Sequence, residues 1–116
     1  MNIPKIKRKL DRLFSQYILN RDKRICCRCG KTNCKIDTSH IIPREILITR
    51  WAPSNAVALC FKCHKLIWHK SPVVGVRWLD TYLGTNAVNT LVTQSWQPFE
   101  LTEQAVIEIE NKLKIN

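Results

Sequence analysis

The sequence lacks any long apolar run, and it contains no internal repeat or low-complexity tract. No stretch approaches the roughly 20 apolar residues that a membrane helix needs, so we expect no membrane-spanning segment. The first residues also lack a charged segment followed by an apolar one, which is the pattern of a secretory signal. We therefore expect a cytoplasmic protein that folds as one small domain over residues 1–116.

The lack of a secretory signal affects how the six cysteines are interpreted. Disulfide frameworks belong to oxidising compartments, whereas a reducing cytosol keeps thiols free. A redox-active Cys-x-x-Cys pair is also disfavoured, because such pairs are typical of a βαβ pattern that this sequence lacks. The cysteines are better interpreted as metal ligands or as plain buried thiols.

Acidic residues are scarce in the first third of the chain. Residues 1–35 contain eleven Lys or Arg and only two Asp, whereas the segment from Trp78 onward contains two Lys and five acidic residues. A basic front half is typical of a protein that meets a polyanion such as nucleic acid. The alternative is a charged face that only keeps the protein in solution.

Helices are predicted at both ends of the chain. Apolar residues at helical spacing between Ile6 and Ile18 predict a helix over about residues 5–20, whose Lys and Arg side chains largely face water. A helical tail is predicted over residues 72–114, with Ser71, Thr85 and Thr102 as N-caps. Its first helix, about 72–83, presents one apolar side and ends at Gly84. That side consists of Val73, Val76, Leu79 and Leu83.

Two short strands are predicted in the middle of the chain. "IDTSHII" is rich in β-branched residues and is stopped by Pro43, and "AVALC" is a second apolar run that could pair with it. The segment between Pro43 and Pro53 is interpreted as a connector. "CHKLIWHK" is long enough for about two helical turns.

Four of the cysteines form two pairs with the spacing of zinc knuckles. Cys26 and Cys29 form one Cys-x-x-Cys pair, and Cys60 and Cys63 form the second. Two such pairs can supply four thiolates to one tetrahedral zinc ion, with no open position. Gly30 follows the first pair, where a tight turn often needs positive φ.

The remaining two cysteines are less easily assigned. Cys27 could replace Cys26 as a ligand, although the Cys-x-x-Cys spacing fits a knuckle better, and Cys34 is interpreted as a plain thiol. With four thiolates present, His64 is surplus to the zinc ion. It is therefore free to bind a second metal or to act as an acid or base, unless it is simply a surface histidine.

Taken together, "CCRCG", "SHIIPR" and "NAVALCFKCHK" resemble the HNH nucleases of the ββα-metal type, over residues 26–65. The resemblance implies a small α+β fold with a zinc-stapled ββα-metal core over residues 26–70. The basic N-terminal helix and the C-terminal helices would flank that core. A looser resemblance, from about residue 10 to 114, is to the NinG-like recombination proteins of phages, although many of those carry Asn where this chain has His64.

The resemblance implies a role for each polar residue of the motif. His40 would be the general base that takes a proton from the attacking water, and Asn55 would hold the strand and loop so that His40 keeps its orientation. His64 would bind a catalytic divalent cation, Mg²⁺ or Mn²⁺, on the scissile phosphate. The three residues are thus the candidate catalytic set.

The chain departs from the HNH pattern at one metal ligand. The residue before the catalytic histidine is usually Asp, Glu or His, but here it is Ser39, whose hydroxyl is a poor ligand for such a cation. Asp37 lies roughly 7 Å away along the strand, which is too far for a simple substitute. His69 lies roughly 140° around an ideal helix from His64 and is also a weak candidate.

Basic residues around the motif are candidates for contacts with DNA phosphates, which position a substrate without reading its sequence. They are Arg28, Arg44, Arg50, Lys62, Lys65 and Lys70. Trp51 and Trp68 could stack on an unpaired base, but a place in the core is favoured for both.

Two alternatives describe the expected function, and both involve DNA. The first is an HNH endonuclease that acts on double-stranded or branched DNA such as Holliday junctions, in the cytoplasm of a bacterial host if a phage encodes it. The second is a zinc-containing junction-binding protein with little or no cleavage activity. A homodimer would suit a two-fold symmetric junction, although no residue in the sequence identifies an interface.

Overall fold

The computed structural model describes residues 1–114, and residues 115 and 116 of the predicted domain lie outside that range. The fold is a small α+β arrangement of six helices and a two-stranded sheet within the described residues. The elements are α1 (Ile3–Arg21), β1 (Ile36–His40), α2 (Leu47–Arg50), a 3₁₀ turn (Pro53–Asn55), β2 (Ala56–Cys60), α3 (Phe61–Lys65), a π-helical turn (Leu66–Lys70), α4 (Pro72–Leu83), α5 (Thr85–Ser95) and α6 (Glu103–Lys114).

The N-terminal helix α1 forms as predicted, slightly longer at each end. Asn2 caps it by accepting a hydrogen bond from the Lys5 N–H at 3.2 Å. Its apolar stripe is buried at Leu10, Phe14 and Ile18, which pack against residues of the central connector and of α6. Burial of this stripe holds α1 against the rest of the fold.

The two predicted strands pair antiparallel, with Ser39 opposite Val57 and His40 opposite Ala56. β1 ends at His40, two residues earlier than the predicted segment. The backbone N–H of Ile41 still donates to the Asn55 carbonyl at 2.9 Å, which is the next pair in the register of the sheet. The predicted connector between Pro43 and Pro53 contains the single-turn helix α2, and the 3₁₀ turn begins at Pro53.

Two side chains at the end of α1 tie this helix to β2. The Asp22 carboxylate accepts the Ala58 N–H at 2.9 Å, and the Arg21 guanidinium donates to the Ala56 carbonyl at 2.7 Å. These bonds satisfy backbone groups of an edge strand that would otherwise need water. They fix the position of α1 beside the sheet.

The helix after β2 begins at Phe61, two residues earlier than predicted. It continues through the π-helical turn to Lys70. α4 packs closely on this turn at Gly75. A Cβ atom there would lie 2.8 Å from the Ile67 carbonyl oxygen and would also meet the Ile67 side chain. Only glycine allows α4 to approach the turn this closely.

The tail is helical as predicted, but its first helix differs from the prediction in two details. α4 spans Pro72–Leu83 as expected, but the side chain of its N-cap residue Ser71 makes no capping bond. Val73 and Val76 are exposed, since α4 buries Gly75 and Leu79 instead.

Of the predicted N-caps of α5 and α6, the first is wrong and the second is confirmed. Thr85 is the first helical residue of α5 rather than its cap, because Gly84 occupies that position. Thr102 caps α6 as predicted, accepting the Ala105 N–H at 3.1 Å. Among residues 1–114, no helix is both long and apolar enough to span a membrane.

Candidate metal centre and active site

The four cysteines of the two knuckles lie together. The sulfur atoms of Cys26, Cys29, Cys60 and Cys63 are all within 4.8 Å of one another, and Cys29 Sγ lies 3.7 Å from Cys60 Sγ. Four sulfurs around zinc, each about 2.3 Å from the ion, would be about 3.8 Å apart. The four cysteines could therefore hold a metal such as zinc.

The loops that carry these cysteines aim backbone N–H groups at sulfur. The Cys29 N–H donates to Cys26 Sγ, and the Cys63 N–H donates to Cys60 Sγ, each at 3.5 Å. Gly30 has φ of 79°, so the predicted positive-φ turn after the first pair is present. The second bond also caps α3, so Cys60 is both a member of the cysteine cluster and the N-cap of this helix.

The electrostatics of the cluster favour binding of a cation. Burial opposes ionisation of Cys26, but backbone N–H donors outweigh it and lower the pKa of this thiol to about 6. Burial and the neighbouring sulfurs raise the pKa of Cys63 to about 12. Four sulfurs this close cannot all ionise without a positive charge between them, and a bound dication supplies that charge.

Cys27 and Cys34 lie outside the cluster. Cys27 is half-buried, its N–H bonds to the Ala58 carbonyl at 2.9 Å, and burial raises the pKa of its thiol. Cys34 is exposed. Of the two alternatives for the first knuckle, the structure thus brings Cys26 rather than Cys27 to the other three.

A separate cleft of about 500 Å³ contains both candidate catalytic histidines. His40 reaches it from the end of β1, and His64 reaches it from α3. The other lining residues are Asp11, Phe14, Ser15, Asp37, Thr38 and Arg44. Residues 24 positions apart in sequence are thereby placed around one space that is open to a substrate.

The ring of His40 is fixed by its surroundings. Nε2 lies 2.9 Å from the Arg50 carbonyl oxygen, and the ring packs on Phe14 with 5.3 Å between centroids. Because a carbonyl oxygen only accepts, Nε2 carries the hydrogen and Nδ1 holds the free lone pair in the neutral ring. Burial lowers the pKa of His40, although the bond to the Arg50 carbonyl partly opposes the shift. The ring is therefore neutral at pH 7.

Asn55 is completely buried and joins the ends of the loop that follows β1. Its Oδ1 accepts the Ile42 N–H at 2.7 Å, and its Nδ2 donates to the carbonyls of Ile42 and Thr49 at 3.1 and 2.9 Å. Thr49 precedes Arg50, whose carbonyl holds His40. Asn55 thus supports, through two peptide units, the group that orients the His40 ring.

Ser39, at the position where the HNH pattern usually has an acidic ligand, contacts two protein side chains. Its side chain is buried, and its Oγ accepts the Trp68 Nε1–H at 2.6 Å and lies 2.8 Å from His64 Nδ1. Adjacent strand residues face opposite sides of the sheet. Ser39 accordingly meets α3 and the π-helical turn, whereas His40 packs against α1.

Arg50 is also placed differently from the expectation that it contacts DNA. It is buried, and its guanidinium bonds to the Asp11 carboxylate through Nε at 3.0 Å and Nη2 at 2.7 Å. Burial alone would raise the pKa of Asp11, but the bonds from Arg50 and Trp51 lower it. Arg50 therefore binds α1 through Asp11, and this ion pair occupies the guanidinium that was expected to contact DNA.

The other candidate DNA contacts fall into two groups. Arg44 is exposed at the cleft, and Lys62, Lys65 and Lys70 are exposed along α3 and the turn that follows it. Arg28 belongs to the cysteine cluster instead, since its Nη1 lies 3.6 Å from Cys63 Sγ.

Both tryptophans near the motif serve the core, as favoured from the sequence. Trp51 is buried and donates its Nε1–H to Asp11 at 2.8 Å, and Trp68 packs on the cluster around β2 while it bonds to Ser39. His69 is exposed, with its ring centroid 5.7 Å from that of His64.

Two features of the cleft were missed from the sequence. One is the wall formed by α1, where Asp11, Phe14 and Ser15 line the space. The other is Asp37, which lines the same cleft as His64 and acts on it electrostatically. From the sequence, Asp37 is a poor substitute for Ser39 because it lies roughly 7 Å away along the strand. In the fold, Asp37 shares the cleft with His64, which is on α3.

Comparison of the chain with protein-family models, curated proteins and solved structures finds no match. Interpretation of the site therefore depends on its own geometry and chemistry.

Proposed function

We propose that the protein is a metal-dependent DNA endonuclease with an HNH-type centre, which hydrolyses phosphodiester bonds. The observation that carries the proposal is the convergence of His40 and His64 on one cleft, with His40 held by the Arg50 carbonyl. A positioned base and a histidine that can bind a cation, beside exposed basic residues, suit attack of water on a phosphate.

His40 is the general base. Its Nδ1 has no hydrogen in the neutral ring and can take a proton from water in the cleft, while Nε2–H remains bonded to Arg50. The lowered pKa keeps the base unprotonated at neutral pH. A general base of this kind contributes roughly 10²- to 10⁴-fold to a rate.

The residues that would hold a catalytic Mg²⁺ or Mn²⁺ are His64 and Asp37. Magnesium is often bound through only one or two protein carboxylates, with water and substrate phosphates as the remaining ligands. His64 Nε2 and the Asp37 carboxylate are the compatible donors on opposite elements of the cleft. The cation, when bound, stabilises negative charge on the leaving 3′ oxygen.

Ser39 acts on this site through His64. With hydrogen on Nδ1, the His64 ring donates to Ser39 Oγ, which also accepts from Trp68. That tautomer leaves Nε2 free to bind a cation, and histidine ligands in metal sites usually donate their other N–H in this way. Ser39 is therefore a positioning residue in place of the usual acidic ligand.

The metal in the cysteine cluster is structural zinc. Four thiolates leave no position for substrate, and Arg28 adds a positive charge beside Cys63. Cys60 and Cys63 flank the first turn of α3, and His64 is the next residue. Zinc binding thus stabilises the helix from which His64 enters the cleft.

A junction-binding protein with little cleavage activity is the second candidate. Ser39, which replaces the usual acidic ligand, favours it because fewer charged ligands remain for a catalytic cation. The formal net charge of +10 suits DNA binding in either case. A preference for branched DNA rests on the resemblance to the NinG-like recombination proteins.

Incubation with a supercoiled plasmid and with a labelled four-way junction, in Mg²⁺ or Mn²⁺, tests the proposal. Nicking or linear products are expected when Mg²⁺ or Mn²⁺ is added to the zinc-loaded protein, and none are expected when both are omitted. A wild-type protein that shifts the junction in a gel but cuts neither substrate would establish the binding protein instead. A linear duplex with the arm sequences of the junction is the control for branched structure.

A further inference from the structure

We propose that an exposed basic face of α1 binds the phosphate backbone of duplex DNA beside the cleft. The basic face consists of Lys5, Arg8, Lys9 and Arg12. The inference rests on the proposed function in taking DNA as the substrate, and it adds a second contact surface outside the candidate active site.

The four residues form one face because of their spacing. They follow one another at intervals of three, one and three positions, which brings them to the same side of an α-helix. All four are exposed, and together with Ile6 they line a shallow groove of about 440 Å³. α1 is 19 residues long and packed through its other side, so the face is presented on a rigid element.

Most of the charge on this face is not neutralised by the protein. Lys9 pairs with Glu110 on α6 at 3.4 Å. Within residues 1–114, Lys5, Arg8 and Arg12 make no ion pair with an acidic side chain. Adjacent uncompensated cations repel one another, and the phosphates of a nucleic acid backbone relieve that repulsion.

The basic face continues into the wall of the cleft. Ser15 lines the cleft, and it lies one turn after Arg12 and two turns after Arg8 on the same side of α1. Seven residues of helix from Arg8 to Ser15 span about 10 Å. Phosphates of one DNA strand are about 3.4 Å apart along the duplex axis, so a duplex that enters the cleft also has phosphates within reach of the basic face.

Duplex DNA fits this face better than a membrane surface does. A basic helix that lies on a membrane inserts its apolar side among the lipids. The apolar side of α1 is occupied, because Leu10, Phe14 and Ile18 are buried in the protein core. Only the charged side remains available, and a charged side alone suits a polyanion.

The test is the salt dependence of binding to a 30-base-pair duplex, measured by fluorescence anisotropy on the zinc-loaded protein without added Mg²⁺ or Mn²⁺, so that no cleavage occurs. Each lost phosphate contact lowers the slope of log K against log salt concentration by about 0.9. The slope of the Arg8→Gln/Arg12→Gln variant is therefore expected to be about 1.8 less negative than that of the wild type, which means a weaker salt dependence. Lys31→Gln/Lys112→Gln is the matched control, since both lysines are exposed elsewhere and the change in net charge is the same.

The outcomes separate this inference from the proposed function. The inference would be overturned if the variant had the same slope as the wild type, or if the control variant lost as much. Neither result would affect the cleavage assay, which tests the proposed function separately. Failure of the wild type to bind the duplex would overturn the inference and weaken the proposal of a nuclease as well. Tighter binding to anionic lipid vesicles than to DNA would assign the face to membranes instead.

Discussion

The Nε2 atom of His40 lies 2.9 Å from the carbonyl oxygen of Arg50, ten residues later in the chain. This bond assigns the hydrogen to Nε2 and leaves Nδ1 as the basic atom of the ring. The loop that carries the carbonyl is held in turn by Asn55. The proposed base thus owes its orientation to the backbone of this loop, which Asn55 holds through its bond to the Thr49 carbonyl.

Cleavage is expected to show an acid limb below pH 6.5. Burial lowers the pKa of His40 from its ordinary value of 6.5, so the ring loses its proton at a lower pH than a free histidine does. The base is active when unprotonated, and kcat/KM should therefore fall only as the pH drops below 6.5. A pH profile of kcat/KM at saturating metal measures this limb, and a limb above pH 6.5 would contradict the assignment of His40.

The same shift has a consequence for folding stability. A histidine whose pKa is lowered in the folded state binds protons more readily when unfolded. The stabilisation that accompanies neutral His40 is therefore present above pH 6.5 and is lost as the pH falls below it. Chemical unfolding of wild type and His40→Gln between pH 5 and 8 should show a smaller pH dependence in the variant.

Ser39→Ala is expected to weaken metal-dependent cleavage without removing the base. The change deletes the partner of His64 Nδ1 and leaves the Trp68 Nε1–H without its acceptor. Loss of a group that orients a metal ligand typically costs roughly 10- to 100-fold in affinity or activity. The metal concentration at half-maximal rate should rise, and the pH limb assigned to His40 should not move.

Ser39→Thr is the conservative control for this prediction, because it retains a hydroxyl group. Substantial recovery of the metal dependence in the threonine variant is expected. Identical metal dependence in Ser39→Ala and wild type would show that His64 does not need this partner.

Asn55→Ala should lower the free energy of unfolding by about 3 kcal/mol or more. It leaves the Ile42 N–H and the carbonyls of Ile42 and Thr49 without their partner, and each buried group left unsatisfied costs about 1–3 kcal/mol. Urea unfolding measures the loss. Asn89→Ala, at an exposed position of α5, is the control and should change stability little.

Cys60→Ser should remove both the bound zinc and the stability it supplies. Wild type is expected to contain about one zinc ion per chain and to unfold when a chelator removes it, since metal binding is coupled to folding in small zinc domains. Metal analysis and thermal melting measure the two effects. Cys34→Ser is the matched control because Cys34 is exposed and outside the cluster. A metal-free wild type with an unchanged melting curve would remove the zinc assignment.

Local patterns were sufficient to predict much of the fold. The apolar period of α1, the β-branched segment before His40 and the cap at Thr102 each depend on nearby residues, and each forms as expected. The Cys-x-x-Cys spacing likewise identified the four cysteines that the fold brings together. Each of these patterns involves residues close together in the sequence or a known spacing of metal ligands, so each can be recognised without knowledge of the fold.

The contacts of Arg50 and Ser39 depend on partners distant in sequence. In the sequence, nothing distinguishes Arg50 from the other basic residues of the motif. In the fold, it bonds to Asp11 of α1, which is 39 positions away. Ser39 was considered as a ligand because of its position before His40, but its hydroxyl meets Trp68, 29 positions later. Neither pairing leaves a local pattern, so neither could be predicted from the sequence alone.

The most direct test of the account is the rate at which wild type and His40→Ala cut one labelled DNA substrate at saturating Mn²⁺. His69→Ala serves as the matched histidine control, since His69 is exposed and does not line the cleft. The account predicts a loss of about 10²-fold or more in His40→Ala, with folding and DNA binding retained, and little change in His69→Ala. Equal rates for wild type and His40→Ala would contradict it.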